Sequence, residues 1–146
     1  MSRLKHDEAL VHHRVVVVPG FLATSAAGAI VSLGRGGSDL TAVLLSVHLG
    51  ALRCELVKGV GGYFTRDPQV DSSAEHIRSL TYAEALDMAD DGCELVQRQA
   101  IEAASAANLP ILIRSVGETE LRSVISSAHS DPDRSAAAAS GRGVRD

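Results

Sequence analysis

The chain has no tryptophan, and its 146 residues include only two tyrosines and two phenylalanines. With aromatics at 3% and hydrophobic residues at 45%, a core has to be built from Val, Leu, Ile and Ala. Cysteine is nearly absent. Cys54 and Cys93 are far apart, which excludes a disulfide framework and points to a reduced, cytoplasmic protein. No apolar run approaches the roughly 18 residues that span a bilayer. Met1 to His6 carries charges and no apolar stretch, so it does not read as a secretory signal. Positive charge is not in excess either. Fourteen Lys and Arg stand against eighteen Asp and Glu, a formal charge of −4. This leaves no electrostatic footprint for nucleic acid. The length suits one domain or part of one, with enough chain to bury a core.

What the chain does have is glycine at one telling place. Leu33-Gly34-Arg35-Gly36-Gly37-Ser38-Asp39 runs straight into an apolar stretch from Leu40 onward. Its glycines let the backbone turn sharply and approach a ligand closely. Ser38 or Asp39 is placed to cap the helix that follows. Free N–H groups at such a helix start attract anions, and Arg35 adds a planar fork suited to a carboxylate or phosphate. A pairing of Arg35 with Asp39 would be the purely structural alternative.

Along the chain, residues 1–12 read as the end of a polar helix. Arg14–Val18 is β-branched and stopped by Pro19-Gly20, as in a buried strand. A shorter strand is expected over Gly28–Leu33, and a largely buried helix over Ser38–Leu49 with Gly50 just beyond its end. Arg53–Lys58 reads as a strand and Gly59-Val60-Gly61-Gly62 as a turn. Asp67-Pro68 opens an irregular segment to about Ser79. Thr81-Tyr82-Ala83-Glu84 has capping-box spacing, and its helix should stop near Gly92. Glu94–Asn108 is an Ala-rich helix and Leu109–Arg114 the last strand. Asp87, Asp90 and Asp91 read as a solvated helix face, and no metal-ligand set emerges. Alternating strands and helices imply an α/β fold with a mostly parallel sheet flanked by helices. The chain divides into a polar segment (1–12), a folded part (13–118) and a tail (119–146). From about residue 127 the tail is Ser, Ala, Gly, Asp and Arg, a composition expected to be disordered.

Four segments occur in an order and spacing similar to aspartokinases, enzymes of the amino acid kinase fold. They are Val15-Val16-Val17-Val18-Pro19-Gly20-Phe21, the loop Leu33 to Asp39, Thr65-Arg66-Asp67-Pro68 and Leu80-Thr81-Tyr82-Ala83-Glu84-Ala85. The resemblance covers roughly residues 10–118, the C-terminal, nucleotide-binding half of the catalytic domain. It implies transfer of the ATP γ-phosphate to the aspartate side-chain carboxylate, in lysine, threonine and methionine biosynthesis, with magnesium accompanying the nucleotide. By position, Arg35, Gly36, Gly37 and Ser38 would hold the amino acid. Asp39 would be the catalytic residue that organises a lysine and the transferring phosphate.

The sequence also departs from the family. The Lys-Phe-Gly-Gly-Thr-Ser motif, which supplies a catalytic lysine and a phosphate loop, is not in these 146 residues, and Lys5 is the only lysine before Arg14. At the nucleotide positions Lys58, Gly59, Phe64, Gln69 and Glu94, an acidic residue becomes Gly59, a tyrosine Phe64, an arginine Gln69 and a lysine Glu94. A carboxylate facing a triphosphate repels it by roughly 4 kcal/mol for unit charges about 4 Å apart at an effective dielectric near 20. Arg98 is the nearest candidate to compensate. Weakened nucleotide binding and no autonomous kinase activity are therefore expected. Function would need a companion chain carrying the other half, and apolar surface left exposed without that half would favour self-association. The alternative is a non-catalytic pseudokinase, subunit or binding module.

Overall fold

A computed structural model describes residues 9–117 and 121–129. Its centre is a four-stranded sheet in the order β3-β7-β8-β6, formed by β3 (Cys54–Lys58), β6 (Ser79–Thr81), β7 (Ile111–Ser115) and β8 (Arg122–Ser126). β3 runs parallel to β7, with Cys54 opposite Ile111 and Lys58 opposite Ser115. β8 is antiparallel to β7 and parallel to β6. Two small antiparallel ribbons, β1 (Leu22–Thr24) with β2 (Ile30–Ser32) and β4 (Tyr63–Phe64) with β5 (His76–Ile77), complete the strands. The fold is thus α/β with a mixed, mostly parallel sheet, as the alternation of elements predicts.

β7 is buried along almost its whole length, which explains its continuous Ile-Leu-Ile run: a central strand covered on both faces has no polar side to show. Against the sheet lie α1 (Gly37–His48), α2 (Tyr82–Asp90) and α3 (Arg98–Ala106). α3 turns Ala100, Ile101 and Ala104 inward and packs on both α1 and α2. These small residues let the helices approach closely, in a core of Val, Leu, Ile and Ala with two buried tyrosines, Tyr63 and Tyr82.

Several expectations need correction. Arg14–Val18 is not a strand. Val15 and Val17 are 78% and 90% exposed, and no described strand runs alongside to accept ladder bonds. β-Branched composition favours extended backbone but cannot supply a partner. The second strand is shorter than Gly28–Leu33, and the Ala-rich helix begins at Arg98, not Glu94. Leu109–Arg114 was expected to be last, yet β8 follows within the segment read as a tail. Its single pair of apolar residues, Val124-Ile125, is framed by Arg122, Ser123 and Ser126 and shows no alternation. Ser123 is fully buried because its hydroxyl has work within the sheet. It accepts from the Tyr63 backbone N–H at 2.8 Å and donates to the Ile77 carbonyl at 2.5 Å, tying the β4–β5 ribbon to β8. The helical turn over 9–12 matches the polar-helix reading. Residues 1–8 and the stretch from 130 on, where disorder is expected, lie outside the described residues.

Gly61 and Gly62 are also more than a flexible turn: both are buried. Gly62 has φ +151, and a Cβ there would lie 2.2 Å from Ser123 Oγ and 2.8 Å from His76 Nε2. A Gly62→Ala protein should therefore lose about 2–3 kcal/mol of stability, from overpacking and an unfavourable backbone angle together. Urea unfolding measures this directly.

The capping box forms as its spacing predicts. Thr81 Oγ1 accepts from the Glu84 N–H at 3.2 Å, and Glu84 Oε2 accepts from the Thr81 N–H at 2.7 Å. Thr81→Ala should cost about 1 kcal/mol. The Thr81 N–H, then its hydroxyl, holds the Glu84 carboxyl below its ordinary value. A depressed folded-state value stabilises above the ordinary carboxylate range and ceases to do so as pH falls through the lowered value. The difference in melting temperature between Thr81→Ala and the unmodified chain should therefore shrink in acid.

Candidate functional site

Three elements converge at the C-terminal end of β3: the end of the strand itself, the N-terminus of α1 and the N-terminus of α3. The loop before α1 makes this possible. Gly36 is the N-cap residue of α1 and adopts a left-handed conformation (φ 73°, ψ 7°), so neither Ser38 nor Asp39 caps the helix, contrary to expectation. A Cβ on Gly36 would lie 2.8 Å from Gln97 Cβ. Only glycine accepts both the positive φ and the close passage of the α3 N-terminus.

This leaves Asp39 in the first turn of α1, buried, where a negative charge complements the helix dipole. Both carboxylate oxygens accept from Lys58 Nζ, at 2.7 and 2.6 Å, and Oδ2 also accepts from the Gln97 backbone N–H at 3.3 Å. The side chains of Lys58 and Asp39 are only 22% and 10% exposed. One carboxylate thus holds together a strand end and two helix starts. Lys58 is therefore held at the strand end by Asp39 and largely withdrawn from solvent.

Arg35 does not pair with Asp39. Its Nε lies 3.2 Å from Glu94 Oε2, across the mouth of a cavity of about 240 Å³ lined by Arg35, Gly36, Glu94, Gln97 and Arg98. Both partners are well exposed, at 89% and 64%, so the pair contributes at most about 1 kcal/mol and opens readily. The compensating cation for Glu94 is therefore Arg35. Arg98 is instead bonded to Asp90 and Glu102. Ser38 is exposed beside this loop, and Gly37 is buried against Leu33.

A larger cavity of about 550 Å³ adjoins the first at Cys93 and is walled by Val60, Phe64, Met88 and Leu95, with Arg66 and Asp67 at its polar side. Phe64 is half-buried and meets the His76 ring edge-on at 5.2 Å. Of the residues at nucleotide positions, Phe64 lines this cavity and Glu94 the smaller one. Lys58, Gly59 and Gln69 line neither, and the latter two are exposed. Arg66, near Gln69 in sequence, is spent on Asp71.

Sequence reasoning passed over Tyr63 and Gln97. The Tyr63 side chain is buried in the wall of the larger cavity, and among the described residues its hydroxyl has no hydrogen-bond partner. Burial, then nearby Cys93 and Asp39, pushes its phenol above its ordinary value, so it is a neutral donor. Gln97 is legible only as the residue before an Ala-rich helix, and nothing local signals that its N–H reaches Asp39. Cys54 and Cys93 are both free, and burial pushes the Cys54 thiol up. No helix among the described residues is long and apolar enough to cross a membrane.

Among the described residues no three His, Cys, Asp or Glu side chains converge as a metal set. Asp39 is engaged by Lys58 and Glu94 by Arg35, so neither offers a magnesium ion an uncommitted carboxylate. These residues do not fit a protein-held metal.

The model of the amino acid kinase family matches residues 5–115. An aspartate kinase from Pseudomonas fluorescens is 42% identical over 100 residues, which is 68% of this chain and 24% of that protein. An aspartokinase from Geobacillus stearothermophilus is 39% identical over 106 residues, 73% of this chain and 26% of its own length. Among solved structures, E. coli aspartokinase III in complex with aspartate and ADP is similar with a TM-score of 0.71 and 32% identity, over 77% of this chain and 26% of that one. The chain therefore spans about a quarter of the length of these relatives. By its sequence match and its fold, the chain belongs to the amino acid kinase family, and it is aspartokinase-like within it.

Proposed function

We propose that this chain is the nucleotide-binding, carboxylate-positioning part of an aspartokinase-like site. The observation that carries this is the Asp39 junction, where one buried carboxylate fixes a lysine between two helix N-termini near two cavities that share Cys93 in their walls. The larger cavity takes the nucleoside of ATP against Phe64, with magnesium arriving on the phosphates. The smaller presents an acidic amino acid, aspartate, to the Arg35 guanidinium beside the glycine loop. Helix N-termini and Lys58 stabilise charge on the phosphoryl group, the main demand of such a transfer. The kinase-like unit is residues 13–118 extended by β8, and it works in the cytoplasm, where both thiols stay reduced.

Completing the transfer calls for the lysine and phosphate loop that these 146 residues do not include, supplied by a companion chain. Adding a polypeptide with the Lys-Phe-Gly-Gly-Thr-Ser half of an aspartokinase relative, then assaying aspartyl phosphate, tests this. Product that depends on both pieces supports it. No product with both pieces folded and associated favours a second reading, a non-catalytic binding module. The Arg35–Glu94 pair is the observation on that side, because Glu94 already occupies the guanidinium that a substrate carboxylate needs.

A further inference from the structure

Resting on that reading, we propose that Glu94 is a specificity-determining residue that receives the ammonium of a free amino acid while Arg35 receives its α-carboxylate. The two side chains meet across the mouth of the smaller cavity, with Arg35 Nε 3.2 Å from Glu94 Oε2. The third charged side chain in that lining, Arg98, is bonded to Asp90 and Glu102. Arg35 and Glu94 are well exposed, so they separate at little cost. A ligand carrying only negative charge that displaced Glu94 from Arg35 would leave Glu94 unpaired beside a second anion. A zwitterion entering between them replaces both lost contacts. Its carboxylate takes the guanidinium fork, and its ammonium takes the Glu94 carboxylate. A second observation asks for a donor at the same place. Gln97 Oε1, in the wall of this cavity, is buried and has no hydrogen-bond partner among the described residues. A buried acceptor left unmatched is costly, and an ammonium has three donors, enough for Glu94 and Gln97 together. The cavity volume of about 240 Å³ lies below the roughly 300 Å³ at which pockets for drug-sized ligands begin, which suits a single amino acid. Ala89 and Val96 add no charge to the lining. An amino acid held by its α-groups keeps its side-chain carboxylate free. The family resemblance implies a lysine where Glu94 stands, so this role is the chain's own.

The test compares aspartate with succinate, which has the same two carboxylates and no ammonium, by NMR shift titration of the isotope-labelled chain. The unmodified chain should bind aspartate about tenfold more tightly than succinate. Glu94→Gln should cut that preference at least fivefold, and Glu94→Asp should keep it within about threefold. The ratio isolates the ammonium contact, because Glu94→Gln frees Arg35 equally for both ligands. Arg35→Gln should weaken both ligands together. These substitutions fall on exposed side chains, and unchanged melting temperatures check that the variants stay folded. Equal tightening of the two ligands in Glu94→Gln would mean that Glu94 merely blocks Arg35. Equal weakening would mean that it merely shapes the cavity. Either result overturns the proposal, as does an unmodified chain that binds aspartate without preferring it, or an Arg35→Gln protein that binds both ligands unchanged. Aspartate binding with a ratio that ignores Glu94 leaves the broader reading intact. Failure of the unmodified chain to bind either ligand sinks both.

Discussion

An Asp39→Ala protein is expected to lose about 3 kcal/mol of unfolding free energy, toward the lower end for a broken buried ion pair because Lys58 keeps some solvent contact. The loss has two sources. Lys58 is left more than three-quarters buried with no counter-charge, and the Gln97 N–H loses its acceptor at the start of α3. Removing Lys58 as well should recover part of it, because the double variant no longer carries an unpaired charge. Such non-additivity is what residues in direct contact show. Urea unfolding of the two single variants and the double variant measures the coupling. Additive losses would mean that the two side chains do not stabilise each other.

An Ile125→Ala protein should lose about 3–4 kcal/mol, the cost of emptying a large, fully buried site that cannot collapse. Ile125 is fully buried and sits opposite Ile111 in the antiparallel β7–β8 pair, with Leu80 of β6 on its other side. β8 lies between two neighbours, so the sheet cannot relax around the gap as it could at an edge. A loss below about 1 kcal/mol, the usual range for surface sites, would mean that residues 122–126 are not an interior strand.

These two positions mark where the sequence speaks plainly and where it does not. Local signals with a physical mechanism are legible. The Thr81 capping box, the glycine after α1 and the apolar runs of β3 and β7 each form close to where their residues place them. β8 is illegible because its burial depends on Ser123 finding Tyr63 and Ile77, partners some sixty and forty-six residues away. Arg14–Val18 fails in the opposite sense, since β-branching is present without a neighbouring strand. At the site, the residue types of the glycine loop were readable, but their pairings were not. Ion-pair choice is a tertiary matter: Asp39 takes Lys58, nineteen residues away, and Arg35 takes Glu94, while adjacency in sequence favoured Arg35 with Asp39. The family resemblance supplied positions for nucleotide contacts. The structure then separates Phe64, which lines a cavity, from Gly59 and Gln69, which do not.

Titrating magnesium-ATP into the unmodified chain tests the nucleotide-binding reading most directly. Saturable binding at one site per chain, with a Kd tighter than about 1 mM and hence worth more than about 4 kcal/mol, is the expected result. No saturable signal with ATP well into the millimolar range, from a sample that unfolds cooperatively, would contradict it.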